Sequence, residues 1–553
     1  MAAYDRHVPA EIVPSYRNAL ELYERSGGRD GADAALHYFD ATISVAAARE
    51  CAVALAAALR DDYGIAAGDR VALMMQNIPQ FAMTLHAIWL AGAVPVCINV
   101  MAKRGELLHY FGDSEARAVV CLESLYAVVG DVVGETPIEQ VITVCELDFL
   151  ESVPAMLATH RRLECPGAVT FASLVERHRG TRLEPADPEP DALALLAYTS
   201  GTTGPPKAAE ITHAALVQTA ETYRVWWQLG PGDVTVAMAP LFHITGIAGH
   251  LCASRAAGIP MVLFYRFEAA EMLRLIERWR GTWIIGPTTA FLAMMSEATF
   301  ATRDISSLVK VATGGAPVHP GVVERYEKAT GVYIHNTYGM TESSGPTHMT
   351  PLGRRAPVDP VSGALAVGVP VCGTDAKIAD PEDGSELPAG EVGEILMRGS
   401  QVVRRYWRDA AASRQTVRDG WLHSGDLGRR DDDGWFFVID RLKDIINASG
   451  FKVWPREVED VLHRHPGVAE ACVVGAPDDY RGETVLAYVT LREPGAATPA
   501  ELIAFSREQL AVYKCPSEVH VVNVIPKTAS GKVLRRELRA RGRAPHADPS
   551  DRK

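Results

Sequence analysis

Leu193–Lys207 reads LALLAYTSGTTGPPK. An apolar run, short enough for a buried strand, ends in Tyr198-Thr199 and empties into a loop of hydroxyls and glycines closed by a lysine. The chemistry suits phosphate. Gly201 and Gly204 let the backbone curl so that several N–H groups face one anion. Ser200, Thr202 and Thr203 add short hydroxyl donors, and Lys207 adds a point charge. The spacing does not fit the G-x-x-x-x-G-K-[ST] phosphate loop. A solvated linker is the alternative. The density of donors after a buried strand favours phosphate. Thr212 is placed to cap a helix beginning near His213.

Around this loop the chain alternates short apolar runs with helical patterns. Residues 44–60 (SVAAARECAVALAAALR) predict an Ala-rich helix, Arg70–Met75 a strand, Pro79–Ala91 a helix and Val94–Val100 a buried strand. The alternation recurs at Leu107–Phe111 with Arg117–Cys121, and at Ala269–Arg280 with Thr282–Ile285. Such order indicates βαβ units and a parallel sheet. Residues 181–191 (TRLEPADPEPD) read as a surface connection. From about Val367 to Val438 short alternating runs separated by Gly, Pro and Asp predict an all-β segment, a small barrel. A further unit begins near Arg441. In it Pro455 starts a helix, two strands follow (EACVVGAP, TVLAYVTL), and PAELIAFSREQL forms another helix.

Composition sets the outer limits. The 553 residues allow three or four domains and a large core. Apolar residues at 48% rule out disorder for the bulk of the chain. The net charge of −13 argues against a nucleic-acid partner, which needs a basic surface. The 9 cysteines are scattered without C-x-x-C or metal spacing, which predicts reduced thiols and a cytoplasmic protein. No export signal or transmembrane segment is expected. Oligomeric state is open, a homo-oligomer included.

Six further stretches complete a series. They are Met238–Gly246 (MAPLFHITG), Ala312–Pro317 (ATGGAP), Asn336–Glu342 (NTYGMTE), Trp421–Gly428 (WLHSGDLG), Asp440–Pro455 (DRLKDIINASGFKVWP) and Pro526–Val533 (PKTASGKV). Taken with Tyr198–Lys207 and in this order, they resemble the adenylate-forming superfamily of acyl-CoA synthetases, aryl-CoA ligases, luciferases and peptide-synthetase adenylation domains. The resemblance spans the chain from the first βαβ units to about Arg539. One departure is Ala208, where the family usually has glycine.

The resemblance implies an α/β fold: a large N-terminal domain (1–440) of two doubly wound α/β subdomains plus the small β-barrel (about 367–440). A smaller mobile α+β domain (441–553) follows, hinged near Lys443. It implies ATP, Mg²⁺ and CoA. Thr199, Ser200, Gly201, Thr202, Thr203, Gly204 and Lys207 would cradle phosphate. Gly314, Gly315, Ala316 and Pro317 would lie along adenine, with Tyr338, Gly339 and Met340 beside it and Tyr338 stacking on the ring. Thr341 would donate to the α-phosphate, and Glu342, with Thr199, would hold Mg²⁺. Asp426 would accept from the ribose hydroxyls and Arg441 would contact the nucleotide. His243 would gate the carboxylate. Lys532 would bridge carboxylate and α-phosphate, and Ser449 and Gly450 would line the pantetheine path after rotation.

The activity so implied is ATP-dependent conversion of a carboxylic acid to an acyl-adenylate, then to its CoA thioester. His243-Ile244-Thr245 lacks the acid that amino-acid-activating relatives place here to pair an ammonium group. Ser449–Glu459 and Tyr513–Pro516 look most like fatty acyl-CoA ligases, which favours a medium- or long-chain fatty acid. Alternatives are an aryl or cyclic acid, an adenylation enzyme loading a carrier protein, or a silent nucleotide-binding protein. Trp226, Trp227 and Trp283 line an apolar tunnel or form plain core.

Overall fold

The computed structural model describes every residue except 1–3, 26–29, 200–204, 449–450, 479–481, 529–532 and 543–553. The chain forms two compact units. The first comprises Met1–Ala356, Val367–Ala376 and Met397–His423; the second comprises Pro357–Ala366, Lys377–Leu396 and Ser424–Lys553.

The first unit holds two wound sheets. One has seven strands in the order Val169–Thr170, Gln140–Val144, Ala116–Leu122, Arg70–Met74, Val94–Cys97, Leu193–Tyr198, Ala208–Thr212. All neighbours are parallel except the last pair. The other has nine strands, ordered Val369–Pro370, Gly345–Met349, Ile334–Met340, Lys310–Gly314, Trp283–Gly286, Thr235–Val236, Met261–Leu263, Ala34–Tyr38, Ala41–Ser44. Its middle is parallel and its edges antiparallel. Parallel strands covered on both faces need unbroken apolar runs, and Val71–Met74 and Ala118–Leu122 are each 1% exposed or less.

The expected helices form where their start signals stand. Ser44 accepts from the Ala47 N–H and caps Val45–Ala57. Pro79 occupies the first turn of Pro79–Leu90, where its missing N–H costs nothing. Thr212 accepts from the Ala215 N–H and caps His213–Trp226. The alanine helix runs on into a π-helical turn, Ala58–Asp62. Residues 181–191 carry no helix or strand.

A further strand stands between Leu193–Tyr198 and the helix His213–Trp226. Ala208–Thr212 is itself a strand, antiparallel to Leu193–Tyr198. Where this pair ends, the Thr199 N–H donates to Lys207 O at 2.8 Å. Ala208, the departure from the family pattern, is 1% exposed, and its methyl packs with Leu196, Tyr110 and Phe111 in the core.

The β-rich segment forms a five-stranded sheet, ordered Thr374–Ala379, Gly393–Gly399, Trp421–Arg430, Val417–Arg418, with Phe436–Arg441 paired to Trp421–Arg430.

The second unit also contains a sheet of Phe451–Val453, Ile446–Ala448, Gly482–Leu491 and Val468–Asp478, with Glu518–Val521 parallel to Gly482–Leu491. Its two long strands bury residues on both faces. Val473, Val485, Ala487 and Val489 pack with Val458, Leu462 and Leu502 from helices Pro455–Arg464 and Pro499–Gln509. The alternate residues Cys472, Val474, Leu486 and Tyr488 pack with Ile525 and Leu538. Helix Arg535–Gly542 is held there by Tyr488 Oη donating to Leu538 O at 3.0 Å. No helix among the described residues is long and apolar enough to cross a membrane. All nine cysteines are free.

Candidate active site

In open α/β sheets ligands bind beyond the carboxyl ends of the strands. Thr199 follows Leu193–Tyr198, Gly315–Pro317 follow Lys310–Gly314, and Thr341-Glu342 follow Ile334–Met340. Among the described residues Thr199, Gly314–Pro317 and Tyr338–Glu342 thus lie at or just beyond strand carboxyl ends, whereas Lys207 directly precedes strand Ala208–Thr212.

Glu342 occupies a 3₁₀ turn, Thr341–Ser343, packed against strand Ala208–Thr212. Its Oε1 accepts from Tyr406 Oη at 2.5 Å. Its Oε2 has no partner among the described residues. Burial, then the Glu342 carboxylate, push the Tyr406 phenol far above its ordinary range, so it stays a donor. Lys207 Nζ lies 5.6 Å from the Tyr406 ring centroid, a cation–π contact. Tyr198 Oη donates to Asp113 Oδ2 at 2.6 Å, which fixes the last residue of the strand that feeds the loop.

The glycines divide in purpose. A Cβ on Gly314 would meet Thr337 Oγ1 at 2.4 Å, and one on Gly339 would meet Gly345 O at 2.1 Å. Both positions are small because adjacent strands press on them. Gly315 has a φ of +80° with open space where a Cβ would stand, so backbone conformation and not crowding favours glycine there. Ala316 is half-buried and Pro317 exposed beside it. Tyr338 and Met340 are half-buried, and Tyr338 tilts at 52° to His348.

His243 is half-buried, beside Phe242, with ring centroids 5.9 Å apart. The segment before it is pinned from far away in sequence. Asn77 Nδ2 donates to Ala237 O at 2.9 Å and Ala239 O at 3.0 Å, and its Oδ1 accepts from the Leu241 N–H at 2.8 Å. His250, fully buried, accepts from the Ala239 N–H at 3.1 Å, and burial depresses its ring to about 3. After His243 comes a π-helix, Thr245–Cys252, a form often found at functional sites. Trp226, Trp227 and Trp283 are 0% exposed. Trp227 and Trp283 pack with centroids 4.7 Å apart, so these rings are core.

In the second unit Asp426, 6% exposed, lies opposite Arg441 on neighbouring strands. Arg441 Nε is 3.2 Å from Asp426 Oδ1. Asp440 accepts from the Arg441 N–H at 2.7 Å and the Arg456 N–H at 3.0 Å, and burial still raises its carboxyl to about 6. Lys443 sits in a single 3₁₀ turn, Leu442–Asp444. Although its side chain reaches water, partial desolvation and then Arg441 pull its ammonium down to about 8. Asp444 beside it is buried, with Arg539 Nη2 at 2.7 Å and Arg535 Nη1 at 3.6 Å.

Ser200, Gly201, Thr202, Thr203, Gly204, Ser449, Gly450 and Lys532 lie outside the described residues. The flanks of Lys532 are tied: Lys527 and Val533 form a bridge, and the Leu534 N–H donates to Pro526 O at 2.9 Å. Ile446–Ala448 and Phe451–Val453 pair antiparallel.

Asn77, His250, Asp113 and Tyr406 escape a sequence reading. Each acts on a partner distant along the chain, or through burial, and none stands in a recognisable motif.

A profile of the AMP-binding enzyme family matches residues 23–407, and one of the AMP-binding enzyme C-terminal domain matches 457–532. The chain is 34% identical over 558 aligned residues to a long-chain-fatty-acid–CoA ligase of Escherichia coli O6:H1, covering 98% of each. It is 31% identical to one of Bacillus subtilis, covering 97% of each. A feruloyl-CoA synthase of an Amycolatopsis species is 34% identical over 86% of this chain and 90% of that protein. The crystal structure of the anthranilate CoA ligase AuaEII with anthranoyl-AMP superposes with a TM-score of 0.85 at 27% identity, covering 96% of this chain and 98% of that one. The chain belongs to the AMP-binding enzyme family. Within that family it is an AMP-forming acyl-CoA synthetase.

Proposed function

We propose that this synthetase activates a medium- or long-chain fatty acid. The observation that carries the catalytic reading is Glu342, one oxygen held by Tyr406 and the other without a partner among the described residues, on a turn against strand Ala208–Thr212. Full-length similarity to proteins named long-chain-fatty-acid–CoA ligases supports the substrate class. An aryl acid is the second reading, supported by the feruloyl-CoA synthase and anthranilate CoA ligase similarities.

A carboxylate acylates poorly because its leaving group is oxide. Its oxygen attacks the α-phosphorus of ATP; a P–O bond forms to the acid and the P–O bond to pyrophosphate breaks. CoA sulfur then attacks the acyl carbon, its proton is lost, and AMP leaves with the former C–O bond electrons. Most of the protein's work is placing anions together and stabilising charge on phosphate.

We assign the residues as follows. Lys207 and the 200–204 loop hold the terminal phosphates. Thr341 donates to the α-phosphate. Tyr338 and Gly314–Pro317 take adenine, Asp426 accepts from the ribose and Arg441 assists it. His243 gates the acid. Lys532 bridges the carboxylate and α-phosphate, and Ser449 and Gly450 line the pantetheine path. Among the described residues no cluster of three His, Cys, Asp or Glu exists. One open carboxylate oxygen suits Mg²⁺, which prefers few protein ligands with phosphate and water completing its shell. Glu342 and Thr199 would hold it, and when bound it neutralises charge on the phosphate oxygens. Residues from 441 onward turn about Lys443 between the two half-reactions. The location is cytoplasmic.

ATP–pyrophosphate exchange across a panel of fatty and aryl acids, with and without CoA, tests this. Exchange and thioester formation with medium or long chains is the expected result. Aryl acids alone driving exchange overturns the substrate assignment. Exchange without CoA turnover points to a carrier protein as acceptor.

A further inference from the structure

We propose that Tyr406 is the positioning residue for Glu342, and that it keeps the acid and Lys207 apart so that each remains available to MgATP. The proposal rests on the reading of Glu342 as the metal-holding acid. Tyr406 lies in Arg404-Arg405-Tyr406-Trp407-Arg408, a stretch that none of the nucleotide motifs includes.

That stretch runs along the edge of strand Ala208–Thr212. The Glu210 N–H donates to Arg405 O at 3.2 Å, the Trp407 N–H donates to Ala208 O at 2.8 Å, and Ala209 bridges Tyr406 antiparallel. Just before it, the Val403 N–H donates to Glu342 O at 2.8 Å. The run Val403–Trp407 therefore binds both strand Ala208–Thr212 and the turn that carries the acid. The ring has little freedom. Tyr406 is 7% exposed, its N–H donates to Ser413 Oγ at 2.9 Å, and Trp407 beside it donates from Nε1 to Asp113 O at 3.0 Å. Arg405 is anchored on Glu210 at 2.7 Å.

A glutamate at a turn samples many rotamers. A hydrogen bond from a fixed phenol to Oε1 selects one of them and aims Oε2. The same ring gives Lys207 a neutral resting partner at 5.6 Å. Among the described residues neither Lys207 nor Glu342 has an ion-pair partner. A direct pair between them would cancel the two charges the triphosphate and its cation need. Orienting partners of this kind tune metal affinity without touching the metal.

The test compares Tyr406→Phe with Glu342→Gln. Tyr406→Phe keeps the ring and its Lys207 contact and removes only the donor. Mn²⁺ binding is followed by EPR with α,β-methylene-ATP present, together with the Mg²⁺ concentration for half-maximal adenylation, the thioester half-reaction from supplied acyl-adenylate, and the thermal midpoint. Tyr406→Phe should weaken Mn²⁺ binding and raise the Mg²⁺ requirement by about tenfold, while the thioester half-reaction and thermal midpoint hold. A shift in Glu342→Gln with none in Tyr406→Phe overturns the positioning role and leaves the Glu342 reading standing. No metal shift in either variant overturns the Glu342 reading and the proposal with it. Parallel loss of both half-reactions and of thermal midpoint in Tyr406→Phe assigns it a structural role and overturns the proposal.

Discussion

Arg441 Nε lies 3.2 Å from Asp426 Oδ1, directly across a pair of antiparallel strands. The arginine orients a carboxylate that is 6% exposed. An oriented, charged acceptor suits a pair of ribose hydroxyls. Asp426→Asn keeps the shape and removes the charge. Losing charge-assisted hydrogen bonds should weaken ATP binding about 10- to 100-fold. Fluorescence titration of the ATP Kd checks this, and an unchanged Kd rejects the ribose assignment.

The described residues on either side of Lys532 are paired through Lys527–Val533 and Pro526–Leu534. Lys532→Ala should lose most acyl-adenylate formation, by about a hundredfold or more, and retain thioester formation from supplied acyl-adenylate. Single-turnover assays of each half-reaction separate the two. Equal loss in both contradicts rotation about Lys443.

Asn77 makes three hydrogen bonds to backbone groups of Ala237, Ala239 and Leu241, all buried. Asn77→Ala leaves those groups without partners, at about 1–3 kcal/mol for each one that water cannot reach. A lower thermal midpoint should accompany a raised KM for the acid, because the loosened segment leads into His243. An altered midpoint with unchanged KM for the acid would detach the 237–241 segment from substrate binding.

Burial holds His213 at about 4 and both His250 and His348 at about 3. Their folded values lie below the ordinary 6.5, so the unfolded chain binds protons that the fold refuses. Their stabilisation is complete above about pH 6.5 and drains as pH falls toward the folded values. At pH 5 the loss is about 2 kcal/mol for each histidine. Denaturant midpoints at pH 7 and pH 5 measure it; equal midpoints would show that these rings take up protons in the folded state.

The strands and helices of the first sheet were legible because each carries its own signal. Val71–Met74 is an unbroken apolar run, Pro79 marks a helix start, and Thr212 caps the next. Ala208–Thr212 was not legible. Its five residues, AAEIT, show no clear alternation, and only pairing with Leu193–Tyr198 makes them a strand. Trp227 and Trp283 carried no local sign that they pack against each other in the core.

Reading the residues alone determined the class of chemistry. Phosphate demands glycines, hydroxyls and a lysine within one loop, and a cation demands an acid, so those demands are written as contiguous motifs. Folding alone decided how the acid is aimed, since Tyr406 reaches Glu342 from 64 residues away and Asn77 reaches Ala237 from 160 away. Orientation comes from partners brought together by sheet pairing and burial, and such partners leave no pattern along the chain.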